Sequence, residues 1–450
     1  MTPTTSARQT AFQVLRDIDR KDSYADSALD RILQKSDLQQ SDRRLVTELV
    51  YGVIRRQRTL DHLIEQFSQK NNQKQPPDLR RILQIGLYQL RYLDQIPASA
   101  AVNTSVDLAK ANGLKGLAGV VNGILRSYLR IQATQGDPLI LPIDPIQKLG
   151  IFYSFPDWLI QLFREQWDEQ NTAELCQYFN QPPPIDLRIN PLKTDLETVE
   201  QALAQVTVET QRLAGLPQAL RLIKGERTIQ NLPGFRDGWW TVQDASAQLV
   251  SHILNPQPQD LIIDGCAAPG GKTTHLAELM GDRGTIYACD LTASRLKKLE
   301  KSQQRLQLRS IYPWIGDSRK FQLPEGQLAD KVLVDAPCSG LGTLHRNPDI
   351  RWRQTPDKIQ SLTLLQAEIL EQAATWVKPQ GDLVYATCTL NPQENQAIIQ
   401  QFLQTHPQWH LSPLPILSLA KKIASEEGWL QILPQVQYMD GFFIAKLKKA

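Results

Sequence analysis

The chain has 450 residues, 41% of them hydrophobic and 22% charged, with 50 Lys and Arg against 47 Asp and Glu; it is long for one hydrophobic core, implies two or three domains, and is ordinary in composition for a globular protein. No apolar run approaches the roughly 18 residues of a membrane helix and the start, MTPTTSARQT, lacks an apolar leader core, so a soluble, cytoplasmic protein with no membrane partner is expected. Five cysteines (Cys176, Cys266, Cys289, Cys338 and Cys388) at no metal-like spacing argue against a disulfide framework and against a bound metal.

Charge is unevenly placed. Residues 1–140 hold 20 Lys and Arg against 14 Asp and Glu, and the remainder 30 against 33. The early excess suggests a polyanion met through the first domain, although a solvated helical surface gives the same count. From Ser6 to about Arg130 the pattern is helical throughout. Ala7, Ala11, Val14, Leu15 and Ile18 fall on one face behind Ser6 as N-cap, and Leu45, Val46, Leu49, Val50, Val53 and Ile54 repeat this behind Ser41. Further helices are expected at 79–90, 100–111 and 116–129. Arg43, Arg44, Arg55, Arg56, Arg58, Arg80 and Arg81 are placed on exposed faces, within reach of RNA phosphates or simply of solvent.

The segment 134–145 mixes prolines with Gly136 and reads as a linker. Two short amphipathic helices (158–167 and 172–179), a strand at 185–189, a helix at 196–204 and extended stretches near 206–213 and 220–223 then suggest a small α+β module. Trp239 and Trp240 read as core, ahead of a helix beginning in QDASAQLV.

The stretch LIIDGCAAPGGKTT, residues 261–274, organises the rest. A buried strand ending at Asp264 meets a turn with Gly265, Pro269, Gly270 and Gly271, which opens a helix. Small residues let backbone approach a ligand, and the free N–H groups at the helix start favour an anionic group. A phosphate-binding loop needs glycine at the position of Cys266, so the ATP reading is weakened. Asp290, at the end of a second strand about 20 residues beyond the glycines, suits ribose hydroxyls. Adenosine without a phosphate chain satisfies both observations, and S-adenosylmethionine is the natural candidate.

Strand and helix continue to alternate, with Asp317 after a third strand and Asp335 closing a fourth. Acids at successive strand ends converge on the rim where open parallel sheets bind ligands: Asp290 for the ribose, Asp317 for the adenine amino edge, Asp335 toward a second substrate. Helix capping is the structural alternative for each acid. Cys338 and Cys388 lie on loops at the same rim and read as chemical thiols, whereas Cys176 and Cys289 read as core. The residues alone do not rank the two thiols. His345, Arg346, Arg351, Trp352 and Arg353 form a basic, aromatic stretch that either clamps RNA and stacks a base or, through Trp352, covers the sheet edge. Residues 440–446 read as an antiparallel edge strand.

DGCAAPGGKTT, DAPCSGLGTLHRNPDIRW and YATCTL resemble the cofactor, proline-cysteine and threonine-cysteine motifs of the RNA 5-methylcytosine methyltransferase family, and the helical front with GVVNGILR is similar to a NusB-like RNA-binding domain. The resemblance covers nearly the whole chain. It implies an all-α NusB-like domain (1–135), a small α+β module (146–235) and a Rossmann-like α/β methyltransferase domain (236–450), acting as a monomer on 16S ribosomal RNA. It also implies S-adenosylmethionine contacts along Cys266, Ala267, Ala268, Pro269, Gly270, Gly271 and Lys272, with Asp290, Asp317 and Asp335. Cys388 is then the nucleophile, Cys338 the thiol that assists product release, and Asp335 the acid that stabilises charge on the base. Where the family often carries an acidic run after the nucleophile, this chain has Pro392-Gln393-Glu394-Asn395, with Glu394 alone charged.

Overall fold

The computed structural model describes residues 6–68, 75–225, 228–324, 326–414 and 424–450; the reading of Met1–Thr5 lies outside them. The chain folds as two compact units, Met1–Gln181 with Leu344–Arg353, and Pro182–Thr343 with Gln354–Ala450.

The first unit is helical: α1 (Ala7–Lys21), α2 (Ala25–Leu33), α3 (Gln40–Arg55), α4 (Gln57–Phe67), α5 (Pro77–Tyr92), α6 (Ala98–Ala111), α7 (Ala118–Gln135), α8 (Pro145–Tyr153), α9 (Asp157–Arg164) and α10 (Glu169–Tyr178). Ser6 caps α1 as expected, its hydroxyl accepting from the Gln9 N–H at 3.3 Å. The α3 start differs: Gln39 is the N-cap and Ser41 lies inside the first turn. Helix α8, which the sequence reading lacks, begins at the last residue of the expected linker, and its signal is local: Asp144 accepts from the Gln147 N–H and Pro145 occupies the first turn. The apolar faces read from the sequence converge on a core that includes Phe12, Leu15, Leu49, Val53, Leu83 and Leu125.

Two expectations about basic residues fail here. The helical arginines are largely committed to the fold. Arg55 is buried and donates to the His345 carbonyl (3.1 Å); Arg58 pairs with Asp157 (2.6 Å), Arg80 with Asp61 (2.6 Å) and Arg81 with Asp19 (2.5 Å); Arg56 stacks on Tyr92. In the stretch 344–353, with a short helix α15 (Ile350–Arg353), Trp352 packs on the helical core and not on a sheet edge, and the arginines at 351 and 353 are engaged by the fold. Arg351 is fully buried over the Phe155 ring and donates to the carbonyls of Arg55 (3.2 Å) and Ser154 (3.1 Å) and to Asn180 (3.1 Å). The Trp352 indole N–H donates to the Ile54 carbonyl at 2.9 Å, and Arg353 pairs with Asp22 at 2.7 Å. Backbone carbonyls left free at helix ends need donors, and this segment supplies them.

The second unit begins with a four-stranded antiparallel sheet of β1 (Ile185–Ile189), β2 (Glu209–Arg212), β3 (Ala219–Lys224) and β4 (Trp240–Val242), ordered β2-β3-β1-β4, with α11 (Leu196–Gln205) against it. Trp240 is fully buried in its core. After α12 (Ala245–Leu254) comes the larger sheet: β5 (Leu261–Asp264), β6 (Thr285–Asp290), β7 (Ile311–Ile315), β8 (Ala329–Asp335), β9 (Val377–Thr387), β10 (Trp409–Leu411), β11 (Leu430–Ile432) and β12 (Phe442–Lys449). Helices α13 (Gly271–Leu279), α14 (Ala293–Leu306), α16 (Pro356–Trp376) and α17 (Gln396–Thr405) join its strands.

The strand order is β10-β12-β9-β8-β5-β6-β7, with β11 also on β12. Strands β9, β8, β5, β6 and β7 are parallel, so the carboxyl ends of β5 and its neighbours β6 and β8 share one rim, and the order reverses between β5 and β8. Strand β12 is antiparallel as expected but is not an edge: it pairs with β9 on one side and with β10 and β11 on the other.

Candidate active site

The turn after β5 is laid against the rim by its neighbours. The Ala267 N–H donates to the Cys289 carbonyl (2.8 Å), and the Asp290 carboxylate accepts from the N–H groups of Ala268 (3.2 Å) and Thr292 (2.9 Å). Ala268-Pro269 is a cis peptide. Gly270 has φ +105°, and a Cβ there would lie 2.4 Å from the Leu299 side chain, so only glycine turns the chain into α13 at this distance. Burial pushes the Cys266 thiol well up and raises that of Cys289, which leaves neither as a nucleophile.

Beneath this turn lies a residue that sequence reasoning did not reach. Arg188 of β1 is fully buried and donates to both Glu278 oxygens (2.8 and 2.7 Å), to the Gly271 carbonyl (2.6 Å), to Thr274 (3.1 Å) and to Gln243. One guanidinium thus fastens α13 at its first and last turns. Its partners lie 55 to 90 residues away in sequence, and no local pattern announces them.

Two acids at the rim are tied down. Asp264 is buried, its carboxyl pushed up to about 7 chiefly by burial, and it accepts from the Thr273 hydroxyl at 2.7 Å. Asp317 caps the turn at 318–320, and hydrogen bonding from Arg319 holds its carboxyl below the usual range. Asp335 meets Lys272 at 2.7 Å. Burial opposes the Lys272 charge, but Asp335 outweighs it and holds the ammonium above its ordinary value, with Cys388 adding in the same direction. The ammonium also lies over the Phe442 ring, 4.8 Å from its centre.

The loops after β8 and β9 bring the two thiols together. The Ala336 N–H donates to the Ala386 carbonyl and the Gly342 N–H to the Cys388 carbonyl, each at 2.9 Å, and the Cys338 and Cys388 sulfurs are 3.4 Å apart. Cys338 is held strongly towards its protonated form, first by the hydrogen bond with Cys388, then by burial, then by the Cys388 and Glu394 charges. The helix expected after Pro392 starts at Gln396, and Lys272 is a positive group that interacts with the Cys388 charge. The structure therefore brings together Cys266–Lys272, Asp290 and Asp335 with both loop thiols, and puts Asp317 beyond β7 on the same rim.

Five parallel strands with a glycine turn at their switch point, strand-end acids and a helix start beside them define a Rossmann-like fold of the class that binds an adenosine-type cofactor. Family models agree along the chain: the NusB family matches residues 5–130, a ferredoxin-like domain of the RsmF/B-like methyltransferases matches 155–228, and 16S rRNA methyltransferase RsmB/F matches 251–448. A probable ribosomal RNA small subunit methyltransferase B from Synechocystis is 60% identical over 99% of this chain and all of its own. Among solved structures, PH0851 is similar over the full chain and 99% of its own (29% identity, TM-score 0.83), and a methyltransferase homolog from Pyrococcus horikoshii over 68% and 99% (28%, 0.59). The chain belongs to the ribosomal RNA small subunit methyltransferase B family, and it is an rRNA methyltransferase that uses S-adenosylmethionine.

The residues present fit that cofactor. Its sulfonium and ammonium groups call for carboxylates, supplied here by the acids ending β5, β6 and β8 and by Asp317 just past β7, and the Asp264 Oδ1 is buried with no hydrogen-bond partner among the described residues. Its carboxylate calls for donors, supplied by the first N–H groups of α13.

Proposed function

We propose that this enzyme methylates carbon 5 of a specific cytosine in 16S rRNA, acting as a cytoplasmic monomer through a covalent Cys388 adduct at carbon 6. The observation that carries the reading is the 3.4 Å approach of two loop thiols beside Lys272 and Asp335. Residues Cys266–Lys272, with Asp290, Asp317 and Asp335, hold S-adenosylmethionine, which supplies an electrophilic methyl group when bound. Carbon 5 of cytosine is too electron-poor to accept it unaided. Cys388, as thiolate beside the Lys272 ammonium, adds to carbon 6 and raises electron density at carbon 5. Asp335, as the carboxylic acid, gives its proton to N3 and accepts from the amino group, so that negative charge does not build up on the ring. After transfer, carbon 5 carries a proton that a base must take before the Cys388 sulfur is expelled and the ring double bond re-forms.

Cys338 is the candidate for that base. The largest influence holding its proton is Cys388, and once Cys388 is bonded to carbon it no longer carries the charge that opposes a second thiolate. The second thiol thus becomes easier to ionise at the step that needs it. The base must leave its stack to be reached, so single-stranded or looped RNA is the expected form of the substrate.

The two thiols supply the test. Cys338→Ala should accumulate an RNA adduct that survives denaturing electrophoresis. Cys388→Ala should abolish adduct and turnover together, by on the order of 10⁴-fold, with cofactor binding retained. Normal turnover in Cys388→Ala would refute the nucleophile assignment, and mapping methyl acceptors on rRNA from cells lacking the protein would identify the cytosine.

A further inference from the structure

Behind the two thiols lies a charged residue that the mechanism does not use. Glu394 is fully buried, and each of its carboxylate oxygens is met by neutral donors. The Ser339 N–H (2.8 Å) and the Gln366 amide (3.1 Å) donate to Oε1. The Ser339 hydroxyl (2.5 Å), the Thr389 hydroxyl (3.3 Å) and the Asn391 amide (3.3 Å) donate to Oε2. Ser339 is the residue after Cys338, and Thr389 the residue after Cys388. Their hydroxyls are also 2.7 Å from one another.

Supporting bonds extend the cluster on both sides. The Gln366 amide that reaches Glu394 also donates to the carbonyl of Pro337 (2.9 Å), the residue before Cys338. The Glu394 carbonyl accepts from the Tyr385 hydroxyl at 2.7 Å, and Asn395 donates to the Thr389 carbonyl at 3.0 Å. The loop after β8, the loop after β9 and helix α16 therefore all end on one carboxylate. Only an acceptor with two oxygens and several lone-pair positions satisfies five donors at once, and a buried donor left unpaired is costly.

We propose that Glu394 is the positioning residue of this active site: it clamps the two thiol-bearing loops so that the Cys338 and Cys388 sulfurs keep their separation. The proposal rests on the two-thiol reading for its catalytic meaning, since a nucleophile at carbon 6 and a base at carbon 5 need placement within about 0.5 Å. Glu394 acts through Ser339 and Thr389. The single charged residue of the segment Pro392–Asn395 is thus the one whose carboxylate is enclosed.

The test uses the full-length enzyme without RNA. Diamide, which oxidises two neighbouring thiols to a disulfide, serves as a ruler for the Cys338–Cys388 separation, read by peptide mapping. In Glu394→Gln one acceptor oxygen becomes an NH2 group facing donors, so cross-linking should slow about tenfold and kcat should fall in parallel, while affinity for S-adenosylhomocysteine stays within about twofold. Glu394→Asp, which keeps the charge, should recover part of both rates. Cross-linking at the wild-type rate in Glu394→Gln, or equal losses in cross-linking and cofactor affinity, would overturn the proposal. Should Glu394→Gln fail to fold, Ser339→Ala and Thr389→Ala each remove one hydroxyl donor and should each slow cross-linking about threefold; wild-type rates in both would overturn it. The ruler reads sulfur geometry whichever thiol attacks the base, so failure of the nucleophile assignment appears only in the Cys388→Ala turnover.

Discussion

Two stretches adjoining in sequence, 335–343 and 344–353, both read as parts of the site, and they do different work. In the first, Asp335 meets an ammonium and Cys338 meets a second thiol, so each group's partner is itself reactive. In the second, Arg351 ends on carbonyls and an amide oxygen, Trp352 on a carbonyl, and Arg353 on Asp22. The chemistry of the partner separates the two stretches. Arg351 is spent on carbonyls that the helix ends leave free, whereas Asp335 pairs with an ammonium that also feels the Cys388 charge.

The sharpest break of this contrast is Arg351→Ala. Its removal strands carbonyls of α3, α8 and the following turns in a buried site, and should destabilise the helical unit by about 3–4 kcal/mol in urea unfolding. Turnover per folded molecule should change by less than about twofold. Unaltered stability with weakened RNA binding would return Arg351 to the interface read from the sequence.

The same division runs through a single helix. Lys272 of α13 meets Asp335 and feels the Cys388 charge, while His275, three residues on, is fully buried, donates to the Gln218 side-chain oxygen (3.1 Å) and packs edge-on against His252. Burial, then the Arg188 charge, pushes His252 down to about 4 from an ordinary 6.5. A lowered histidine binds its proton more readily when unfolded. Its contribution to stability is therefore complete above pH 6.5 and is lost as pH falls towards 4. At pH 5 the wild type should have lost about 2 kcal/mol through this residue relative to pH 7, and His252→Leu should flatten the stability profile by that amount in parallel urea titrations. An equally steep acid limb in the variant would remove His252 from the account.

What the chain announced in advance follows the reach of its interactions. Helix faces, the Ser6 cap and the glycine turn were legible because period, cap and positive φ are local properties. The loop thiols stood out because cysteine at a strand's carboxyl end is chemically distinctive. Glu394 was visible only as the remnant of an acidic run, because its donors sit 5, 28 and 55 residues away. Arg188 left no local trace at all. The arginine pairs misled for the related reason that an i, i+1 pair says nothing about which carboxylates or carbonyls tertiary packing brings up: the partners of Arg81 and Arg55 lie 62 and 290 residues away.

Asp317 stands between the two kinds of residue and offers the finest test. Its carboxylate accepts from the Arg319 N–H at 3.1 Å and pairs with the Arg319 guanidinium at 2.6 Å, which would make it a capping acid. It also ends the turn after β7, on the rim where adenine is proposed to lie. Arg319 is 40% exposed, so solvent screens the ion pair and it contributes little. Asp317→Asn keeps an oxygen that can cap the turn but loses the charge and one acceptor. If the acid serves the cofactor, affinity for S-adenosylhomocysteine should fall about tenfold by calorimetry with almost no change in unfolding midpoint. If instead the midpoint drops and affinity holds, Asp317 belongs with Arg351 among the residues spent on the fold.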